Sequence, residues 1–264
     1  MLLFRGIWNL ALVCAASLAL AAAALADEVR VVSSGGFAPA FQALAAEFER
    51  TTGHHLITQW GPSMGETAGA IPKRLERGEA IDVVVMVGYA LDDMVRQGKV
   101  VPGSGVLLAR SRIGAAVRAG ARKPDISTVA ALKTALLKAR SIAYSDSASG
   151  VYLSKVLFPR LGIAEQIKDK SRMIPADPVG LSVARGEAEL GFQQVAELKA
   201  VPGIDLVGVL PAEANTVTLY SAGVVVGARS AEAGRALIRF LASPASAAAI
   251  NQTGLEAASL VGDK

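Results

Sequence analysis

Gly61-Pro62-Ser63-Met64-Gly65-Glu66 closes a short apolar run, Leu56–Trp60, and opens a helix-like segment. Upstream, Ser33-Ser34-Gly35-Gly36-Phe37 stands in the same relation to Val29–Val32 and the segment after it. A Gly/Ser-rich turn between strand and helix leaves the first N–H groups of the helix without intrahelical partners. Those donors, with the positive end of the helix dipole, suit an anion. Either turn alone is an ordinary strand–helix connection; the two together predict a cleft with paired anion-binding loops.

The segments around these turns alternate between strand and helix patterns. Val29–Val32 is β-branched and apolar, as a buried strand is. Phe41, Leu44, Ala45 and Phe48 recur at helical spacing after Pro39, and Gly53 supplies the stop. Thr67–Arg77 reads as a second helix weakened by Pro72, and Ile81–Val87 as a central parallel strand broken only by Asp82. Gly105–Ala109 and Arg112–Arg118 are strand-like. Ser141–Tyr144 leads into a third turn, Ser145-Asp146-Ser147-Ala148-Ser149-Gly150, which opens a helix over Val151–Leu161. Further strands are expected at Leu190–Gln193 and Thr216–Val226. The order predicts an α/β protein with right-handed crossovers. Two lobes, 27–108 plus 217–264 and 109–216, would be joined by two crossing strands acting as a hinge. The ligand would lie between them, outside the strand C-termini.

Composition narrows the chemistry. Of 264 residues, 52% are hydrophobic and 19% charged, which suits well-formed cores and excludes a disordered chain. Arg5, an apolar run from Ile7 to Ala24 and the Ala24-Leu25-Ala26 site read as a signal peptide, residues 1–26, cleaved on export to the periplasm. The single cysteine, Cys14, lies within it, so no thiolate chemistry remains in the mature chain. The two histidines, His54 and His55, are adjacent, and neither a metal site nor any other cofactor is expected. The formal charge of +4 is spread thinly, without a basic run carrying aromatics, which argues against nucleic acid and for a small anionic ligand. The chain is expected to be monomeric.

The succession of Phe48-x-x-x-x-Gly53, Gly61-Pro62-Ser63, Arg77-Gly78-Glu79-Ala80-x-Asp82-Val83, Gly150-x-Tyr152 and Arg185-Gly186-Glu187-Ala188-x-Leu190-Gly191 resembles the molybdate-binding proteins of bacterial ABC transporters. The resemblance covers essentially the whole mature chain. It implies a type II periplasmic-binding-protein fold and an ABC-type permease as partner. The second-loop serine of that family is retained as Ser63, and a second-lobe position matches Ser149. Its first-loop serine, however, falls at Gly36 and its pocket tyrosine at Gln194, so an unmodified molybdate shell is not expected. A second set, Ala70-Ile71-Pro72-x-Arg74, Met86-Val87-Gly88-Tyr89-Ala90 and Tyr144–Gly150, resembles the branch that includes bacterial aconitate isomerase.

The candidate ligand-binding residues are Ser33, Ser34, Gly35 and Gly36 of the first loop, and Ser63, Met64, Arg74 and Tyr89 around the second. From the other lobe come Ser147, Ser149, Tyr152, Gln193 and Gln194. Their hydrogen-bonding capacity exceeds what one tetrahedral ion uses and suits an organic di- or tricarboxylate such as aconitate. Arg74 is the candidate clamp for a carboxylate, opposed by the reading as a solvated helix arginine. Three functions follow: capture of such an acid without chemistry, aconitate isomerisation on the same fold, or molybdate/tungstate binding. Isomerisation needs one or two acid–base groups and donors for a dienolate-like charge. Tyr152, Glu66 and Asp146 are the candidate bases, the histidines being placed at the wrong end of their strand, and the sequence marks none of them out.

Overall fold

Phe41 and Phe48 are fully buried on one side of a helix, and around them the first half of the fold assembles. The computed structural model describes residues 26–258 other than Ala176; the signal peptide expected at 1–26, Ala26 apart, therefore lies outside the described residues. Strand β1 (Glu28–Ser33) is followed by α1 (Ala38–Thr52), which has Pro39 in its first turn. Gly53, at φ 75°, ends α1 in a left-handed conformation that only glycine takes without cost. Then come β2 (His55–Trp60), α2 (Ile71–Glu76), β3 (Val83–Val87) and α3 (Gly88–Arg96). β1 pairs in parallel with both β2 and β3, the β-α-β-α-β order expected.

The second helix differs from its sequence reading. Residues 61–70 form an extended loop, and α2 begins only at Ile71, with Pro72 in its first turn. A proline there breaks nothing, because the N–H it lacks has no acceptor in a first turn. The Ile71 amide instead donates to the Pro62 carbonyl (2.9 Å), which closes the loop on itself.

Strand β4 (Val106–Arg118) is continuous over 13 residues where two shorter stretches were expected. Its first half pairs antiparallel with β9 (Val217–Val224), and from Ile113 onward it pairs with β7 (Leu190–Gln194) and β8 (Ile204–Val209). The polar Arg110-Ser111-Arg112 does not interrupt it, because β9 pairs with all three residues. After α4 (Val129–Lys138), β5 (Ile142–Ser145) lies parallel to both β6 (Ser171–Ile174) and β7. The helix after β5 starts as α5 (Ala148–Tyr152), widens into a π turn at Leu153–Leu157 and resumes as α6 (Phe158–Arg160). Pro159 accounts for the widening: its ring cannot donate to the carbonyl of residue 155 and pushes it outward. Helices α7 (Ala164–Ile167), α8 (Val179–Ala184) and α9 (Val195–Lys199) complete this half. The chain returns through β9, α10 (Ala231–Leu241), α11 (Ala247–Gln252) and β10 (Glu256–Ala257).

The sheet order is β2-β1-β3-β9-β4-β7-β5-β6, with β8 and β10 also on β4. Its apolar residues gather into two main cores. One holds Phe41, Phe48, Met86, Leu91 and Leu237; the other holds Ile113, Leu132, Leu136, Phe158 and Phe192. Each fully buried side chain of this size contributes about 2–3 kcal/mol. β4 passes from the first core to the second, and with β9 it forms the crossover of a two-lobed type II fold.

Candidate functional site

The loops at the C-terminal ends of β1, β2, β5 and β7 face one another across a cleft of about 580 Å³. Ser34, Gly35 and Gly36 line it from the first loop, and Ala38 and Pro39 bring the first turn of the 15-residue α1 to its wall. Gly61 and Pro62 come from the second loop, Asp146 and Ser147 from the third, and Gln193 from the end of β7. Ser33 lies just behind, fully buried, donating to the Ser34 carbonyl (3.3 Å). Ser149 is buried at the root of the third loop, its Oγ 2.9 Å from Ser145 Oγ.

Other expected residues are turned to different work. Ser63 is buried and accepts the Val87 N–H (2.9 Å), tying the second loop to the end of β3. Gln194 is buried on the crossover and donates to Thr218 Oγ1 (2.9 Å). Tyr89 and Tyr152 line a second groove, of about 550 Å³, with Val217 and Leu219 of β9. There the Tyr89 hydroxyl meets the Met64 sulfur (3.5 Å) and the Tyr152 hydroxyl donates to the Asn215 carbonyl (3.2 Å). Glu66 is exposed and pairs with Lys73 (2.9 Å). His55 pairs with Glu49, and His54 accepts the Asp27 N–H at the far end of β2.

Arg74 is not in the cleft. It is 7% exposed, and its Nε donates to Glu79 at 3.0 Å while Nη2 adds a second bond to the same carboxylate. The pair, joined by Arg77, holds the Glu79 carboxyl below the usual range. Arg74→Ala is therefore expected to lower stability by about 1–2 kcal/mol, the buried-pair cost being reduced because Glu79 keeps some solvent. Ligand affinity should stay within about twofold. Thermal melts and calorimetric titration of the same variant check both; a tenfold loss of affinity at unchanged stability would restore the clamp.

The structure adds a carboxyl that the sequence reading missed. Glu197, in the first turn of α9, lines the cleft with its Oε1 accepting from Gln193 Nε2 (3.0 Å). Gln193 is itself fixed, since its Oε1 accepts the Val179 N–H (2.8 Å). Burial pushes the Glu197 carboxyl up to about 7; Asp146 adds to the rise, and the Gln193 and backbone Gln194 donors oppose it. A Cβ on Gly35 would stand 2.6 Å from Glu197 Oε1, and one on Gly36 would stand 1.8 Å from the Tyr220 hydroxyl. Both glycines are thus the floor space of an acid and a phenol. Tyr220, on β9, is 3% exposed, and burial first, then the Glu197 charge, hold its hydroxyl well above the ordinary 10. An acid in a first helical turn normally reads as a dipole partner, so no local signal marked Glu197.

The charged side chains lining the cleft are Asp146, Asp177 and Glu197, with neither lysine nor arginine among the described residues. Nor do the described residues contain a cluster of His, Cys, Asp or Glu able to hold a metal. The cleft thus combines neutral donors with three carboxyl groups, and burial holds that of Glu197 up at about 7.

Residues 29–256 match the model of a family described as bacterial extracellular solute-binding protein. The chain belongs to that family. An aconitate isomerase from a Pseudomonas species is 53% identical over 241 residues, covering 91% of this chain and 92% of the relative. The molybdate-binding protein ModA of Azotobacter vinelandii is 28% identical over 184 residues, covering 68% and 69%. The solved periplasmic molybdate-binding protein of the same organism superposes with a TM-score of 0.70 at 21% identity, over 89% of this chain and 100% of that one. Such a likeness carries the two-lobed type II fold. No helix among the described residues of this solute-binding protein is long and apolar enough to cross a membrane.

Proposed function

We propose that this chain is an aconitate isomerase working in the interlobe cleft. The observation that carries the reading is Glu197, a cleft carboxyl whose surroundings hold it near 7, where it can both take and return a proton. The 53% identity to an aconitate isomerase supports the same chemistry. The Glu197 carboxylate removes a proton from the CH₂ of trans-aconitate, and the electron pair spreads over the allylic unit into the adjoining carboxylate. Return of the proton to the other end of the allylic unit, the former vinyl carbon, moves the double bond to the former CH₂ carbon. The rotamer in which the cleft holds that C–C bond during proton removal makes the new double bond cis. Nothing is oxidised, and no metal or cofactor is consumed.

The second reading is capture of the same acid for a permease, on the ground that the family is one of solute-binding proteins. Export to the periplasm fits both readings. Purified protein incubated with trans-aconitate and followed by chromatography separates them. Isomerisation predicts cis-aconitate accumulating in proportion to protein; tight binding of trans-aconitate with no cis product would overturn the isomerase reading and leave capture.

A further inference from the structure

The proton transfer proposed above leaves a negative charge on a substrate carboxylate, and the cleft lining offers no cation to receive it. Ser34 does offer a donor. It lines the cleft, is 4% exposed, and its Oγ has no hydrogen bond within ordinary geometry among the described residues. A buried hydroxyl without a partner is costly unless a ligand completes it. The Tyr220 hydroxyl faces Ser34 from strand β9.

Tyr220 is held there by packing. Its ring lies 6.4 Å from that of Phe37, and its hydroxyl occupies the space a side chain at position 36 would need. The first loop folds over it only because residue 36 carries no Cβ. The same loop rests on Glu197 through Gly35, so the proton carrier and the hydroxyl pair sit at adjacent positions of one turn.

We infer that Ser34 is a catalytic residue that receives the charge developing on the substrate carboxylate, and that Tyr220 is the positioning residue that aims it. The inference rests on the isomerase reading. The Tyr220 hydroxyl donates to Ser34 Oγ as the lobes settle on substrate. The Ser34 O–H is then directed toward the cleft and donates to the carboxylate oxygen as the C–H bond breaks. Tyr220 stays neutral through this step because its buried site disfavours the phenolate. Two neutral hydroxyls in series act as an oxyanion-type donor, stronger in the transition state than in the bound ground state.

The test uses the full-length mature protein, trans-aconitate for turnover, and propane-1,2,3-tricarboxylate as a saturated analogue that cannot form the allylic charge. Tyr220→Phe keeps the ring and removes only the hydroxyl. It should lower kcat about 10–100-fold while KM and the Kd of the analogue stay within about threefold. Ser34→Ala should lower kcat at least as far, and Ser34→Thr should recover part of it. Equal losses in kcat and in analogue affinity would assign Tyr220 a structural role and overturn the inference, as would full turnover in Tyr220→Phe. Absence of turnover in the unaltered protein would instead overturn the isomerase reading and this inference with it.

Discussion

Glu197→Gln is expected to lower kcat about 10²–10⁴-fold, the usual contribution of a positioned acid–base group, while the cleft keeps its shape. The amide replaces the carboxylate isosterically but takes up no proton. The unaltered protein should show kcat/KM rising tenfold per pH unit up to about 7, because a base must be ionised and Glu197 is ionised only above that value. The variant should lack this limb. Stability moves in the opposite sense. A carboxyl raised from 4.5 to about 7 favours the folded state fully below 4.5, and that contribution is lost as pH rises through 7. Glu197→Gln should therefore flatten the stability profile between these values and melt no lower than the parent at pH 8. Kinetic pH profiles with melts at pH 5 and pH 8 decide the matter. A variant with full turnover removes Glu197 from the chemistry; one that loses turnover only because it unfolds at pH 8 makes it structural.

The missed carboxyl shows where a sequence reading stops. The loops were legible because strand-to-helix turns announce themselves in Gly and Ser, so Ser34, Gly35, Gly36 and Ser147 could be expected at a cleft from local pattern alone. The parallel strands were legible from their continuous apolar runs. Glu197 was not, since its raised pKa arises from burial by segments distant in sequence, including the loops carrying Gly35 and Asp146. Tyr220 looked like one alternating residue in a long strand. Arg74 misled for a related reason. Pro72 reads as a weak point inside a helix and Arg74 as a free clamp, whereas Pro72 lies in the first turn of the helix and Arg74 is taken up by Glu79, five residues on. Residue type and spacing show which groups can act. Which groups do is decided by what packs over them.

Gly36→Ser, which restores the residue expected there from the molybdate-binding proteins, should be among the most damaging single changes in the cleft. Its cost does not arise in the backbone, because Gly36 is not one of the glycines at positive φ. It arises from space. The new Cβ would stand 1.8 Å from the Tyr220 hydroxyl, 2.3 Å from Cζ and 3.0 Å from Cε2, and the ring behind that hydroxyl is buried against Phe37. Neither loop nor ring can yield without unpacking the other, at about 3 kcal/mol for an overpacked site. Since the loop also seats Glu197 through Gly35, turnover should fall with stability. Shortening the tyrosine relieves the clash. In a double-mutant cycle, Gly36→Ser with Tyr220→Ala should be more stable than the two single losses added together, by 1 kcal/mol or more on the scale of contacting residues. Urea melts of the four proteins measure the coupling. Additive losses would mean that serine at 36 finds room elsewhere, and that the glycine is not there to make room for the phenol. A favourable coupling would identify positions 36 and 220 as alternatives: a loop hydroxyl, or a hinge-strand phenol with a bare loop above it.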